Sequence, residues 1–228
     1  RWKDSVLAFF EAVAAQHRMP MDAERMTHNV DDFDSTWPAC LAVKAAELQG
    51  RERGRRYLRV LREAWTVEGR GIHRTSVQEG VAAEVDLEVG TFKAAIQDGS
   101  AERAFRRDRE ECRDLVITGF PTFVVDYAEE SLRLEGWQPW EVFDDALQKL
   151  DPELRPGRIG TTKVSVRSLL QRYGRCATRE VAAVLGATDD DAEIVLEELE
   201  GEGEVLRRPV GNGLLWELRG AGSSREIA

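Results

Sequence analysis

The chain has 228 residues, 42% of them hydrophobic, with 42 acidic against 32 basic residues and a net charge of -10 at pH 7. That length can fill one large core or two smaller ones, and the apolar content excludes disorder as the default. There is no run of the ~20 apolar residues a membrane helix needs and no signal-peptide pattern, so a cytoplasmic protein is expected, and its acidity opposes general binding to nucleic acid.

In chain order, residues 4–17 have helical periodicity, with Val6, Phe9, Phe10, Val13 and Ala14 on one stripe. Met19-Pro20-Met21-Asp22 ends this helix, and the polar, acidic stretch Thr27–Ser35 reads as a loop. Ser35-Thr36-Trp37-Pro38 combines hydroxyl cap candidates with a first-turn proline and starts a second helix. That helix carries Leu41, Ala42, Ala45, Ala46 and Leu48 up to Gly50. A third is expected at 52–67, with Tyr57, Leu58, Leu61, Ala64 and Trp65 at helical spacing. Short helices at 75–85, 89–98 and 100–116 follow, with Phe92, Ile96, Phe105 and Leu115 as expected core.

The pattern changes at Gly119. Thr122-Phe123-Val124-Val125 is a β-rich run, Leu132–Trp137 is its hairpin partner across Asp126–Ser131, and Pro139-Trp140 opens a helix to Leu150. A strand, hairpin and helix after a helical block is the end of an α/β domain. Residues 151–163, with two prolines and two glycines, read as a linker. A compact module at 164–219 has helices at Val164–Tyr173, Thr178–Leu185 (begun by Thr178 as a cap) and Asp190–Glu202, then a hairpin around Gly211-Asn212-Gly213. Three helices and a hairpin resemble a winged-helix domain, and residues 220–228 form a tail. Residues 189–204 hold nine carboxylates and neither Lys nor Arg, and Arg207 and Arg208 are the wing's cations, so protein contact or self-association is expected there, not DNA.

The basic set is 27 Arg and only 5 Lys. Scarce Lys on an acidic surface fits a halophilic origin, and GC-rich coding would also favour Arg. Cys40, Cys112 and Cys176 form no C-x-x-C, which points to a reducing compartment. His17, His28 and His73 make no ligand-spaced cluster with them, so neither metal nor cofactor is expected.

Gly119-Phe120-Pro121-Thr122, followed by apolar residues, resembles the cis-proline loop of the thioredoxin fold. With the helical segments Ser35–Gly50, Tyr57–Arg70 and Ala104–Asp108 before it, residues 1–150 resemble the DsbA-like family, in which a helical insertion interrupts that fold. The similarity extends to disulfide oxidoreductases and isomerases, archaeal members included, and to relatives that serve as protease adaptors. It implies an α/β thioredoxin-like fold with a helical insertion, and a thiol-disulfide oxidoreductase acting on protein or small thiols. Phe120, Pro121 and Thr122 would line the substrate site, and Thr36 and Pro38 would face it or simply cap their helix. Cys40, in that helix's first turn, is either a possible accessory thiol or core. Trp37, Trp65, Trp137 and Trp140 would wall a peptide groove or pack the core.

The family's C-x-x-C and opening βαβ are not in this sequence. A hairpin alone is marginal, so either ~50 upstream residues carrying C-x-x-C or another chain would complete the sheet, the first being expected. The alternatives are a non-enzymatic adaptor that keeps the fold for peptide capture, and a kappa-class glutathione transferase or isomerase with Ser in place of the cysteine pair.

Overall fold

The structure, a computed structural model, describes residues 2–29, 31–155, 157 and 159–220, with the side chains of 2–7 left aside. The Val6 side chain, Pro156 and Arg158 of the expected linker, and the tail from residue 221 onward therefore lie outside the described part. The chain divides into two compact units, Arg1–Phe105 with Ile159–Ala228, and Arg106–Arg158.

The first unit begins as a helical block: α1 (Trp2–His17), α2 (Ala23–His28), α3 (Trp37–Glu47), α4 (Arg51–Thr66), α5 (Thr75–Glu84) and α6 (Val89–Gln97), with α7 (Ser100–Asp114) running out of it. Helix α2 falls where the sequence suggested the approach to a loop; Asp22 makes it possible by accepting the Arg25 N–H at 3.0 Å as an N-cap. Small side chains draw α3 against α4: Ala42, Ala45 and Ala46 are wholly buried. A Cβ on Gly54 would stand 2.8 Å from the Glu47 Cα, so that glycine sets how closely the helices approach. Tyr57 and Phe92 fill the centre, rings 5.4 Å apart, and the tyrosine hydroxyl donates to the Gln78 carbonyl at 3.2 Å. Leu115, expected in the core, is 38% exposed, and Leu48, placed on the apolar side of its helix, is 51% exposed, because α3 and α7 end just before them and turn them outward. Phe9 is exposed too, while Phe10 of the same stripe packs on Trp65 at 5.1 Å.

The same unit continues with α9 (Lys163–Tyr173), β3 (Cys176–Ala177), α10 (Thr178–Leu185), α11 (Asp189–Gly201), β4 (Val205–Val210) and β5 (Gly213–Leu218), the sheet order being β3-β5-β4. Thr162 and Thr188 cap α9 and α11 through the Ser165 and Asp191 N–H groups. Thr178, read as a cap, is already inside α10. Its hydroxyl accepts the indole N–H of wholly buried Trp216 at 2.8 Å. The two-residue strand β3, paired with Trp216 and Leu215, carried no periodicity to be read.

These elements dock on the helical block. Arg175, its side chain 6% exposed, reaches Glu63 at 2.8 Å and Glu68 at 2.7 Å. Arg59 answers from α4, holding both oxygens of Glu180 at 2.7 and 2.9 Å and donating to the Arg175 carbonyl. Val67, Ala177 and Leu215 close an apolar seam beside the charges, with Met19 and Val210 packed against it. The β4–β5 turn is seated as well. The Met21 N–H donates to the Asn212 Oδ1 at 3.1 Å, and a Cβ on Gly211 would meet the Met21 carbonyl oxygen at 1.9 Å, so only glycine fits.

In the second unit β1 (Thr122–Tyr127) and β2 (Glu130–Glu135) form an antiparallel hairpin, followed by α8 (Trp140–Leu150). The expected six-residue connection shrinks to Ala128-Glu129, with Ala128 at φ 52°. Register puts Phe123 and Val125 on one face with Leu134 and Leu132, and Phe143 of α8 covers that face, 4.8 Å from Phe123 ring to ring. Among this unit's described residues only Ala146 is fully buried, so its core is thin.

Replacing Arg175 with Ala strands two half-buried carboxylates and is expected to lower unfolding free energy by ~3 kcal/mol in urea melts. Burial opposes ionisation of Glu68, but the Arg175 and Arg70 guanidiniums outweigh it and hold the carboxyl below its ordinary 4.5. Glu68 therefore releases its proton more readily folded than unfolded. Its contribution is complete above the unfolded value and is lost as pH falls through the folded one. The urea midpoint should drop between neutral pH and ~pH 3, and Glu68→Gln should shrink that drop.

Candidate functional site

The segment expected to line a site is built at the mouth of the hairpin. The Phe120–Pro121 peptide is cis. The Thr122 hydroxyl donates to the Gly119 carbonyl at 2.7 Å and the Gly136 N–H donates to the Pro121 carbonyl at 2.8 Å, so both sides of the proline are tied to the hairpin base. Phe120 has no apolar cover and is 81% exposed. Trp137 and Trp140 are 58% and 65% exposed, the Trp140 ring stacked 6.2 Å from Phe143. This unit thus presents large aromatic surface to solvent, more than scattered exposed side chains would give. The Arg133 guanidinium donates to the Leu115 carbonyl and ties the hairpin to the end of α7.

Thr36, Pro38 and Cys40 lie in the other unit, at the start of α3. Pro38 occupies the first turn as expected of a residue without an N–H. Thr36 sits in helical geometry and its side chain does not cap; the Ser35 hydroxyl accepts the Trp37 N–H instead, at 3.0 Å. The Trp37 ring packs edge-on against Phe105 at 4.8 Å, which makes it a packing residue as well as an entry signal. The loop feeding α3 is anchored by Asp32, whose carboxylate takes Arg74 at 2.6 and 3.0 Å and His73 at 2.9 Å. Those hydrogen bonds hold the Asp32 carboxyl far below the usual range. Sequence patterning missed this clamp, because its partners are some forty positions apart.

Cys40 and Cys176 are not set up as nucleophiles. Burial pushes the Cys40 thiol up, and a hydrogen bond with Thr36 only partly offsets it, so proximity to a helix start does not favour the thiolate here. Cys176 is wholly buried, and desolvation, aided by the charge of Glu180, pushes it up to about 12. No group of three or more potential metal ligands occurs among the described residues, and among them no helix is long and apolar enough to cross a membrane.

Comparison with known proteins adds what geometry cannot. A family model described as Thioredoxin matches residues 5–145, and one described as FaeA-like protein matches residues 163–220. The ClpXP adapter protein SpxH of Shouchella clausii is 33% identical over 183 residues, 79% of this chain and 60% of that protein. Its namesake from Halalkalibacterium halodurans is 28% identical over 204 residues, 87% of this chain and 64% of that protein. The one from Bacillus subtilis is 24% identical over 220 residues, 95% of this chain and 72% of that protein. The chain therefore spans less than two thirds of the first two relatives. A crystal structure from Nitrosomonas europaea, of a protein provisionally named a protein disulfide isomerase, superposes with a TM-score of 0.56 at 20% identity, covering 64% of this chain and 74% of that one. That likeness shows a thioredoxin-like, mixed α/β fold. The adapter relatives overturn the expectation of a thiol-disulfide oxidoreductase, which was drawn from the proline segment, and favour the adaptor alternative.

Cys176 should resist iodoacetamide in the native protein at ~pH 8 and react fully in denaturant, because a thiol with so high a value supplies almost no thiolate. Rapid native labelling of Cys176, read by peptide mass spectrometry, would contradict this environment.

Proposed function

The chain belongs to the Thioredoxin family, and on that premise we propose that it is an adaptor that works by binding proteins, delivering a client to the ClpXP protease. The observation that carries this reading is the adapter name shared by relatives aligned over most of the chain. The chemistry of the side chains agrees with it. The thiols of Cys40 and Cys176 are held protonated, while Phe120, Trp137 and Trp140 offer exposed aromatic area of the kind that dominates protein recognition. In this reading Phe120, Pro121 and Thr122 contact an extended client segment, Thr36 and Pro38 shape the start of α3, and Cys40 packs.

Residues 164–219 are proposed to be a winged-helix-like module, joined to a thioredoxin-like part at 1–150 by residues 151–163. Its role is protein contact. The charge of α11 repels phosphate, Arg207 is paired with Glu197 and Glu200, and Arg208 is paired with Glu217. The turn that would serve as a wing tip is occupied by Met21. A cytoplasmic setting accompanies this function.

The test is degradation in vitro. The full-length protein is expected to accelerate degradation of a bound client by purified ClpXP ~10-fold or more, and Phe120→Ala with Trp137→Ala to weaken client binding ~10-fold without shifting the melting temperature. Clients that bind tightly but are degraded no faster in its presence would reject the adaptor reading.

A further inference from the structure

Helix α4 concentrates positive charge in an acidic chain. Its sixteen residues hold six arginines and two glutamates, whereas the whole chain has a net charge of -10. Tyr57, Val60, Leu61 and Ala64 face the core. At ~100° per residue the opposite side carries Arg51, Arg55, Arg59 and Arg62 in one stripe.

Helix stability does not account for this stripe. Arg51 and Arg53 stand in the first turn, at the positive end of the helix dipole, where cations are unfavourable. Nor does local pairing neutralise it. Among the described residues Arg55 meets only Glu52, the two side chains 59% and 83% exposed, and Arg56 meets Asp86 at 3.5 Å with both exposed. Arg51, Arg53 and Arg62 are exposed and have no ion pair among the described residues.

One turn of the stripe already shows its use. Arg59 takes Glu180 of helix α10 through two parallel bonds, at 2.7 and 2.9 Å, and this is part of the docking interface of residues 163–218. The C-terminal turns of α4 are thus covered by an element that brings a carboxylate, and the N-terminal turns continue the same surface uncovered. We propose that the Arg51–Arg55 end of α4 binds an acidic helical segment of a protein partner, carboxylates spaced i, i+4 taking Arg51 and Arg55 as Glu180 takes Arg59. The inference rests on the adaptor reading for the partner being a protein. Charge complementarity and continuity with the docked interface select the occupant. A long polyanion would meet the repulsion of the rest of the chain.

The probe is a fluorescent synthetic helical peptide with Glu at i, i+4 spacing, followed by anisotropy against the 228-residue chain. Arg51→Glu with Arg55→Glu should weaken binding ~10-fold or more, Arg113→Glu on α7 should not, and wild-type affinity should fall with added salt. Arg51→Gln with Arg55→Gln should give a smaller loss, which keeps the test valid if the reversal variant melts early. Unchanged peptide affinity in both double variants overturns the proposal. So does a single-stranded oligonucleotide of equal charge that binds at least as well, and so does a self-association in sedimentation that the reversal abolishes, since the occupant would then be a second copy. Peptide binding through α4 without faster client degradation sinks the adaptor reading and leaves this surface standing; the opposite pair of results sinks only the surface.

Discussion

A guanidinium removed from water must find carboxylates, and Arg175 organises the larger unit around that requirement. With its side chain almost wholly buried, it fixes Glu63 in the last turns of α4 and Glu68 just beyond them. Glu63 also reaches Arg59, and Arg59 holds Glu180, so two arginines and three carboxylates link the helical block to the C-terminal elements. The neighbouring seam of Val67, Ala177 and Leu215 supplies apolar burial, and the charges supply geometry. The consequence for function is direct. The Gly211-Asn212 turn is committed to Met21, so the C-terminal elements are part of the platform and their turn is not free for another ligand.

The smaller unit follows a different logic. Its hairpin has one apolar face, α8 covers it through Phe143, and little else is buried. Aromatic side chains at its margin remain in solvent, with the Phe120–Pro121 segment held by hydrogen bonds at either side. A surface of that kind suits recognition by contact area. In the larger unit, burial drives the Cys40 and Cys176 thiols up, away from the thiolate that thiol exchange needs.

Much of the chain was readable where the signal was local. Pro38 announced α3, Thr162 and Thr188 mark helix starts with their own hydroxyls, and the β-rich run after Pro121 became β1. The misses share a cause. Strand β3 has two residues and exists because Trp216 and Leu215 lie opposite it. Thr178 resembles a cap but serves an indole thirty-eight positions away, and Asp32 is clamped by His73 and Arg74 across some forty. Leu48 and Leu115 fit a helical stripe that ends before it reaches them. The functional error arose similarly: the proline segment identifies the fold, and fold alone does not fix whether a site carries out chemistry.

The sequence by itself determined the helices before Gly119, the hairpin that follows Pro121 and the helices α9, α10 and α11, because caps, turn residues and apolar periodicity act within a few residues. Tertiary structure alone decided which charges are paired within the fold and which stay in solvent. Arg59 and Arg51 lie on one stripe of α4 and look alike in sequence, yet Arg59 meets a carboxylate 121 positions away and Arg51 meets solvent. Pairing energy depends on distance in space, and no local pattern carries that.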